Sequence, residues 1–388
     1  MNKVNEIKDV EQRKALNAWA AQGWKGSVIA GTGFGKSRVG VLAVAQALKT
    51  SENLRALVLV PTNQLQDQFI EEFKKWGYED LLSSIDVLCY QSAHKLNKEH
   101  YCVVVCDEIH LGLSPVHRRF FEQNTYDKLL CLTATVPEEA EYREILINLG
   151  PVAYKISLDE CVAMGLVADY HVYCIAVELT EEERAEYINH NNQFISAKYR
   201  LGEYAFDRAK AILGGKEDGD KGAAAQFMNS IRGRGKVVQT AVSKLGYAKR
   251  IADHYKSEKI LTFSGSNEFT DLMGKTLSGE SYHSKIPKAE RREILERFRT
   301  GENKILCSTK ALDQGFDIKD ATIGIIAGLS SKSLPMIQRI GRLIRKDGDK
   351  VGKVFILYVK DSQEEVWLDS AVQTIKNIHK GELNDYLT

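Results

Sequence analysis

One octapeptide constrains this chain more than any other feature. AGTGFGKS, from Ala30 to Ser37, closes the apolar run SVIAG and opens SRVGVLAVAQALK, whose apolar residues recur at helical spacing. A strand, a glycine-rich loop and a helix in that order fit the phosphate-binding pattern [AG]-x-x-x-x-G-K-[ST]. Glycines let backbone N–H groups converge on phosphate oxygens without Cβ clashes. On this reading the backbone of Thr32, Gly33, Phe34 and Gly35 cradles phosphates, and Lys36 reaches the outer ones. Ser37 offers a hydroxyl to Mg²⁺, and the helix start adds its positive dipole end. The plain alternative, a glycine turn that binds nothing, leaves the order of the flanking segments unexplained.

A phosphate loop of this type needs a second metal ligand at the end of a neighbouring strand. YCVVVCDEIH supplies one, because Asp107 and Glu108 follow the apolar run 101–106. Asp107 is the expected second ligand, and Glu108 the group that accepts a proton from attacking water. The expected bound species is therefore a nucleoside triphosphate with Mg²⁺.

The remaining short apolar runs read as strands buried on both faces, since they are rich in Val, Leu and Ile and alternate poorly. They are RALVLV (55–60), IDVLCY (85–90), KLLCLT (128–133), KILTFSG (259–265), NKILCST (303–309), ATIGIIAG (321–328) and KVFILYV (353–359). Helix-like segments separate several of them, as in NQLQDQFIEEFKKW and PKAERREILERFRTG. At 388 residues the chain has room for two such α/β domains. We place them at 1–160 and 161–388. The texture between the two sheets differs. LTEEERAEYI carries a capping box, Thr180 with Glu183, and helical patterning runs on to the second sheet. Residues 180–255 thus read as a helical insertion at the start of the second domain. Within it, GGKEDGDKG (214–222) reads as a mobile turn, and RGRGK (232–236) as a basic strand-tracking loop or a polar turn. FISAKYRLGEYAFDRAK (194–210) interleaves Phe194, Tyr199, Tyr204 and Phe206 with basic residues. An amphipathic hairpin with an aromatic core is the favoured reading there, and base stacking the alternative.

Composition excludes little but usefully. Net charge is +1, so bulk charge points to neither nucleic acid nor membrane, and any basic surface is local. No apolar stretch is long enough to span a bilayer, and the N-terminus has no apolar signal core, which makes the cytoplasm the expected compartment. The seven cysteines show no CxxC spacing, so neither a structural zinc nor an iron–sulfur site is expected.

DEIH resembles the DExH box of superfamily 2 helicases and translocases, and the other signatures of that superfamily follow in order. VLVPTNQLQDQF resembles motif Ia, LCYQSAH the groove-lining Tyr-Gln-Ser segment, and LTATVP motif III. ILTFSGS resembles motif IV, STKALDQGFDI motif V, and QRIGRLIRK motif VI. Within the superfamily, LDQGFDIKDATIGIIAG followed by SLPMIQRIGRLIRK looks most like the XPB-like and UvsW-like DNA translocases. The resemblance implies two RecA-like parallel-sheet domains in tandem with MgATP between them. Arg342 and Arg345, three apart on a helix, would face the γ-phosphate together. By the same resemblance Gln338 positions water, Gly315 and Asp317 lie near the ribose, and Gln12 reads adenine. His110, Thr133 and Thr135 couple hydrolysis to movement, while Thr62, Gln91, Ser92, Ser264, Thr309 and Lys310 contact nucleic-acid backbone.

The implied activity is an ATP-dependent DNA helicase or double-strand translocase acting on duplex or branched DNA, as in repair or recombination, with a monomer plausible. Its host compartment would be a bacterial or phage-infected cytoplasm. RNA helicase, partner-dependent remodelling motor and nucleotide-switched binding module stand as rivals. The sequence departs from the family pattern in three places. Gly31 stands where Pro is common, Cys89 where Thr is common, and KDVEQ offers Gln12 without the usual preceding Arg and aromatic. That last departure puts selectivity for ATP in doubt.

Overall fold

The computed structural model describes residues 3–31, 33–51, 55–134, 136–137, 139–166, 170–309, 321–330, 351–372 and 377–387. Thr32, Thr135, Lys310, Gly315, Asp317, Gln338, Arg342 and Arg345 lie outside the described residues. The chain divides into two compact units, with the change between Asp169 and Tyr170.

In the first unit the strands are β1 (Lys25–Ala30), β2 (Ala56–Val60), β3 (Ile85–Cys89), β4 (His100–Cys106), β5 (Thr125–Thr133) and β6 (Val152–Ile156). They form one sheet in the order β3-β2-β4-β5-β1-β6, parallel at every pairing. Unbroken burial along β2, and along β4 after His100, explains why these segments carry no polar alternation. Helix α1 (Lys3–Ala21) precedes β1, α2 (Lys36–Thr50) links β1 to β2, and α3 (Asn63–Lys75) links β2 to β3. Gly40 lets α2 settle on the sheet: a Cβ there would come within 2.9 Å of the Phe69 ring and 3.1 Å of Val105. Trp19 of α1 is fully buried and donates its indole N–H to the Leu129 carbonyl at 2.8 Å, tying α1 to β5.

The second unit holds β7 (Tyr170–Val177), β8 (Lys259–Phe263), β9 (Glu280–Tyr282), β10 (Ile305–Ser308), β11 (Ala321–Ile326), β12 (Gly352–Val359) and β13 (Ile378–Gly381). Their order is β13-β7-β12-β11-β8-β10-β9, again parallel throughout.

Between β7 and β8 run helices Glu181–Leu201, Ala205–Leu213, Lys221–Gln239 and Ser243–His254. The first opens on the expected capping box of Thr180 and Glu183. The first three build a satellite core of Ala197, Leu201, Ala205, Ile212, Ala224 and Phe227, whereas Leu245, Ala248 and Ile251 of the fourth belong to the main core.

One local expectation is corrected. RGRGK is neither loop nor turn but the middle of helix Lys221–Gln239. Glycine costs helix stability, yet a Cβ on Gly233 would stand 2.4 Å from the His190 ring, so glycine permits close helix packing. The stretch 214–222 is exposed throughout and holds the expected turn. Asp220 caps the next helix through the Ala223 N–H and pairs with Arg200, while Glu217 pairs with Arg208 at 3.0 Å. Among the described residues, no helix is long and apolar enough to cross a membrane.

Candidate nucleotide site

Strand order brings the first unit's motifs together. β4, β5 and β1 are neighbours and parallel, so the segments that follow them emerge at one edge of the sheet. These are Asp107–Glu108, Thr133 and the glycine loop. Ligands of open parallel sheets bind outside these carboxyl ends.

The loop has the geometry its glycines permit. Gly33 and Gly35 take φ of 93° and 89°, in the left-handed region that glycine tolerates. Gly35 is the N-cap of α2 and offers no side-chain cap, which leaves the first N–H groups of α2 without a side-chain acceptor. Lys36 Nζ donates to the Ala30 carbonyl at 3.1 Å, reaching back across the loop. Phe34 is fully buried, facing Tyr154 at 6.0 Å between ring centroids, and anchors the loop from beneath.

Asp107 is 7% exposed. Its N–H donates to the Leu59 carbonyl at 2.8 Å, and its carbonyl accepts from the Tyr90 hydroxyl at 2.9 Å, so the backbone is fixed on two sides. The carboxyl is pushed up to about 7, first by burial and then by the neighbouring Glu108, with Lys36 opposing. Glu108 adopts φ 47°, a conformation that costs a non-glycine residue about 1–2 kcal/mol. Its Oε2 is buried without a hydrogen-bond partner and lies 3.5 Å from His110 Nδ1, too long for a good bond. The same His110 nitrogen lies 3.3 Å from Thr133 Oγ1, joining the two strand ends. Burial holds the imidazole pKa below its ordinary value, against the pull of Glu108.

A buried acid without a salt bridge among the described residues, an orphaned carboxylate oxygen, strained backbone and an uncapped helix start, all on one edge, fit a metal–phosphate ligand.

Two family models match the chain. Residues 8–138 match the family described as type III restriction enzyme, res subunit, and residues 243–347 match the helicase conserved C-terminal domain. The chain belongs to the superfamily 2 helicases. A DNA 3'-5' translocase XPB2 of Sulfurisphaera tokodaii is 28% identical over 358 residues, which span 88% of this chain and 79% of that one. A DNA 3'-5' helicase XPB of Mycobacterium tuberculosis is 21% identical, over 90% of this chain and 60% of its own length. Among solved structures, the Pyrococcus furiosus Hef helicase domain aligns with a TM-score of 0.59 at 15% identity, covering 93% of this chain and 98% of that one, and shows the fold.

Other residues that the superfamily signatures single out are placed as follows. Gln12 is 1% exposed, with its amide turned onto the glycine loop. Thr62 caps α3, its hydroxyl accepting from the Leu65 N–H at 3.4 Å. Gln91 and Ser92 are exposed on the short helix Tyr90–Ala93, and Thr309 is half-buried after β10. Cys89 does not leave its place empty: its thiol lies 3.0 Å from Asn63 Oδ1. Ser264 does not suit the backbone contact expected of it. It is 1% exposed, and its hydroxyl faces Ser266 O at 3.0 Å and Thr270 Oγ1 at 2.5 Å inside the second unit. In the insertion, Phe194 stacks on Phe227 at 5.1 Å, but Tyr199 is 90% and Tyr204 74% exposed. The expected aromatic core thus contains only part of the aromatic set.

Sequence reasoning missed Arg38, which lies against both α1 and the residue after α3. Arg38 pairs with Asp9 at 2.5 Å, donates to Gln12 Oε1 at 2.6 Å and lies 4.2 Å from the Trp76 ring centroid. A charged residue directly after the loop Ser, with Gln12 lacking its usual neighbours, was the available signal.

Proposed function

We propose that this chain is an ATP-driven DNA helicase or double-strand DNA translocase. The observation that carries the proposal is the acid pair after β4, where Glu108 keeps an orphaned buried oxygen beside Asp107 at the sheet edge that also bears the glycine loop. Thr32, Gly33, Phe34 and Gly35 bind phosphates through backbone N–H groups, and Lys36 neutralises the outer ones. Ser37 and Asp107 hold Mg²⁺, which when bound offsets phosphate charge. Glu108 accepts the proton of the attacking water, which Gln338 orients. Arg342 and Arg345 stabilise the charge that develops on the transferred phosphoryl group, and Gly315 and Asp317 serve the ribose. His110, Thr133 and Thr135 transmit the state of the site. Thr62, Gln91, Ser92, Thr309 and Lys310 hold the DNA backbone through the hydroxyl, amide and amine groups that phosphate contacts use. Two relatives carry DNA 3'-5' helicase or translocase names, which supports DNA as the partner. Branched intermediates are the substrate we favour.

Phosphate release measured without nucleic acid, then with single-stranded DNA, duplex DNA, a four-way junction and matched RNA, tests this. Strong stimulation by duplex or junction is expected. Equal or greater stimulation by RNA would reassign the motor to RNA, and no stimulation by any of them would favour a partner-dependent remodelling motor.

A further inference from the structure

Helix Lys221–Gln239 belongs to two cores at once. Ala223, Ala224 and Phe227 near its start sit in the satellite core, and Val237 and Val238 near its end sit in the main core of the second unit. At 1.5 Å per residue it is a rod about 28 Å long. Its last residue, Gln239, lies where the roots of the insertion converge. Just beyond it, the Val242 N–H donates at 2.8 Å to Glu183, a member of the capping box that opens helix Glu181–Leu201.

Gln239 faces two loops at the carboxyl edge of the second sheet. Its Nε2 donates to the Leu329 carbonyl at 3.1 Å, across 90 residues of chain. Its Oε1 and Cδ press on Gly265, where a Cβ would stand 2.5 and 2.8 Å from them. Gly265 in turn lies against Gly328, where a Cβ would run into the Gly265 nitrogen. The amide and the two glycines are thus stacked without space for a methyl group between them. Both loops are tied onward. The Ser264 N–H donates to the Ser308 carbonyl at 2.9 Å, directly before Thr309, and the Ala327 N–H donates to the Phe263 carbonyl at 2.8 Å. Leu329 is 2% exposed, and Ser330 follows it before the segment that contains Gln338 and Arg342.

A close-packed set of this kind passes a displacement on, because it has no void to absorb one. A glutamine suits the joint because one planar group carries both a donor and an acceptor end. A glutamate of the same shape would set a carboxylate oxygen against the Leu329 carbonyl, two acceptors face to face.

We propose that Gln239 is a positioning residue for DNA-stimulated hydrolysis. It fixes the loops after β8 and β11 to the end of the insertion's long helix, so that the placement of the insertion sets the stimulated rate. This inference rests on the functional reading above, in which Thr309 contacts DNA, Gln338 orients water and Arg342 serves the phosphoryl group. Gln239 acts through the loops and not on a reacting atom.

The test is steady-state ATP hydrolysis by the full chain, with and without saturating duplex DNA, alongside thermal unfolding. The proteins are the wild type, Gln239→Glu, Gln239→Met, Gly265→Ala, and the double change Gln239→Ala with Gly265→Ala. Gln239→Glu and Gln239→Met should lower the DNA-stimulated kcat by about 2- to 30-fold, the range for residues that modulate coupling between sites. Hydrolysis without DNA, KM for ATP and melting temperature should change little. Gly265→Ala should also lower the stimulated kcat, because its methyl meets the amide. In the double change the two losses should fail to multiply, since truncating Gln239 vacates that space. Two chemically different changes at Gln239 and the Gly265 pair keep the proposal open to refutation if one variant fails to fold. Wild-type stimulated kcat in both Gln239 variants would overturn it. So would equal losses with and without DNA, the mark of a merely structural residue. A wild type without DNA stimulation would sink the functional reading and this proposal together, whereas a stimulated wild type with unaffected variants would sink this proposal alone.

Discussion

Asp107, directly after β4 in the first unit, and Glu364, in the first turn of helix Gln363–Val372 beyond β12 in the second, are both buried acids, yet their surroundings are opposite. Glu364 accepts from Lys244 Nζ at 2.7 and 2.9 Å, from the Val359 N–H at 2.9 Å and from the Leu329 N–H at 3.4 Å. Lys244 also donates to the Ala327 carbonyl at 2.8 Å, and both side chains are fully buried. Burial works against each charge there, and the partner works in its favour. Asp107 has no salt bridge among the described residues, and next to it stands Glu108 with an orphaned oxygen. A satisfied buried acid ties strand ends to a helix. An acid beside an orphaned carboxylate oxygen is a place left open for a ligand. The two units share an architecture and differ in which of these they keep at the strand ends.

The largest expected effect separates the two roles. Glu108→Gln should lower nucleic-acid-stimulated hydrolysis by ~10²–10⁴-fold, the range for loss of a general base, with little change in melting temperature. Stimulated hydrolysis at the wild-type rate would remove Glu108 as the base.

The second effect falls on the other acid. Glu364→Gln leaves Lys244 charged and buried, and breaking a buried pair from one side costs about 3–5 kcal/mol. Chemical denaturation should show that loss, and the double change Lys244→Met with Glu364→Leu should recover most of it. A single change without cost would make the pair ornamental and dissolve the contrast.

A third, smaller effect concerns pH. The folded Asp107 carboxyl titrates at about 7 against an ordinary value of 3.8. Between those values the folded chain holds the proton and the unfolded chain does not. Stability from this group therefore falls as pH rises through that window. With a chelator present and no nucleotide, Asp107→Asn should raise the melting temperature at pH 8, and the gain should vanish toward pH 4. The size is a few kcal/mol at most, at about 1.4 kcal/mol per pKa unit. A destabilised Asp107→Asn at pH 8 would mean that the carboxylate is satisfied after all.

Much of this was legible in the sequence because it is local. β2 and β4 are buried end to end, so their apolar runs stand out, and the glycine loop sits between a strand and a helix as its spacing demands. Four strands escaped. β6 (VAYKI) lies at a sheet edge and buries only Ile156 fully, so no apolar run marks it. β13 (IHKG) is also an edge strand, β9 spans only three residues, and the aromatics and His171 of β7 break its apolar texture. The side-chain contacts that matter most in each unit are distant in sequence. Arg38 meets Gln12 across 26 residues, and Lys244 meets Glu364 across 120. RGRGK misled because its composition is that of a loop, while its Gly233 answers to His190 on another helix.

The most direct test measures phosphate release and thermal unfolding together, for the wild type, Glu108→Gln and Glu364→Gln, with and without duplex DNA. The account predicts a DNA-stimulated wild type, a Glu108→Gln variant that melts like the wild type but has lost stimulated hydrolysis, and a Glu364→Gln variant that melts markedly lower. A Glu108→Gln variant that keeps full stimulated hydrolysis while Glu364→Gln melts unchanged would contradict it.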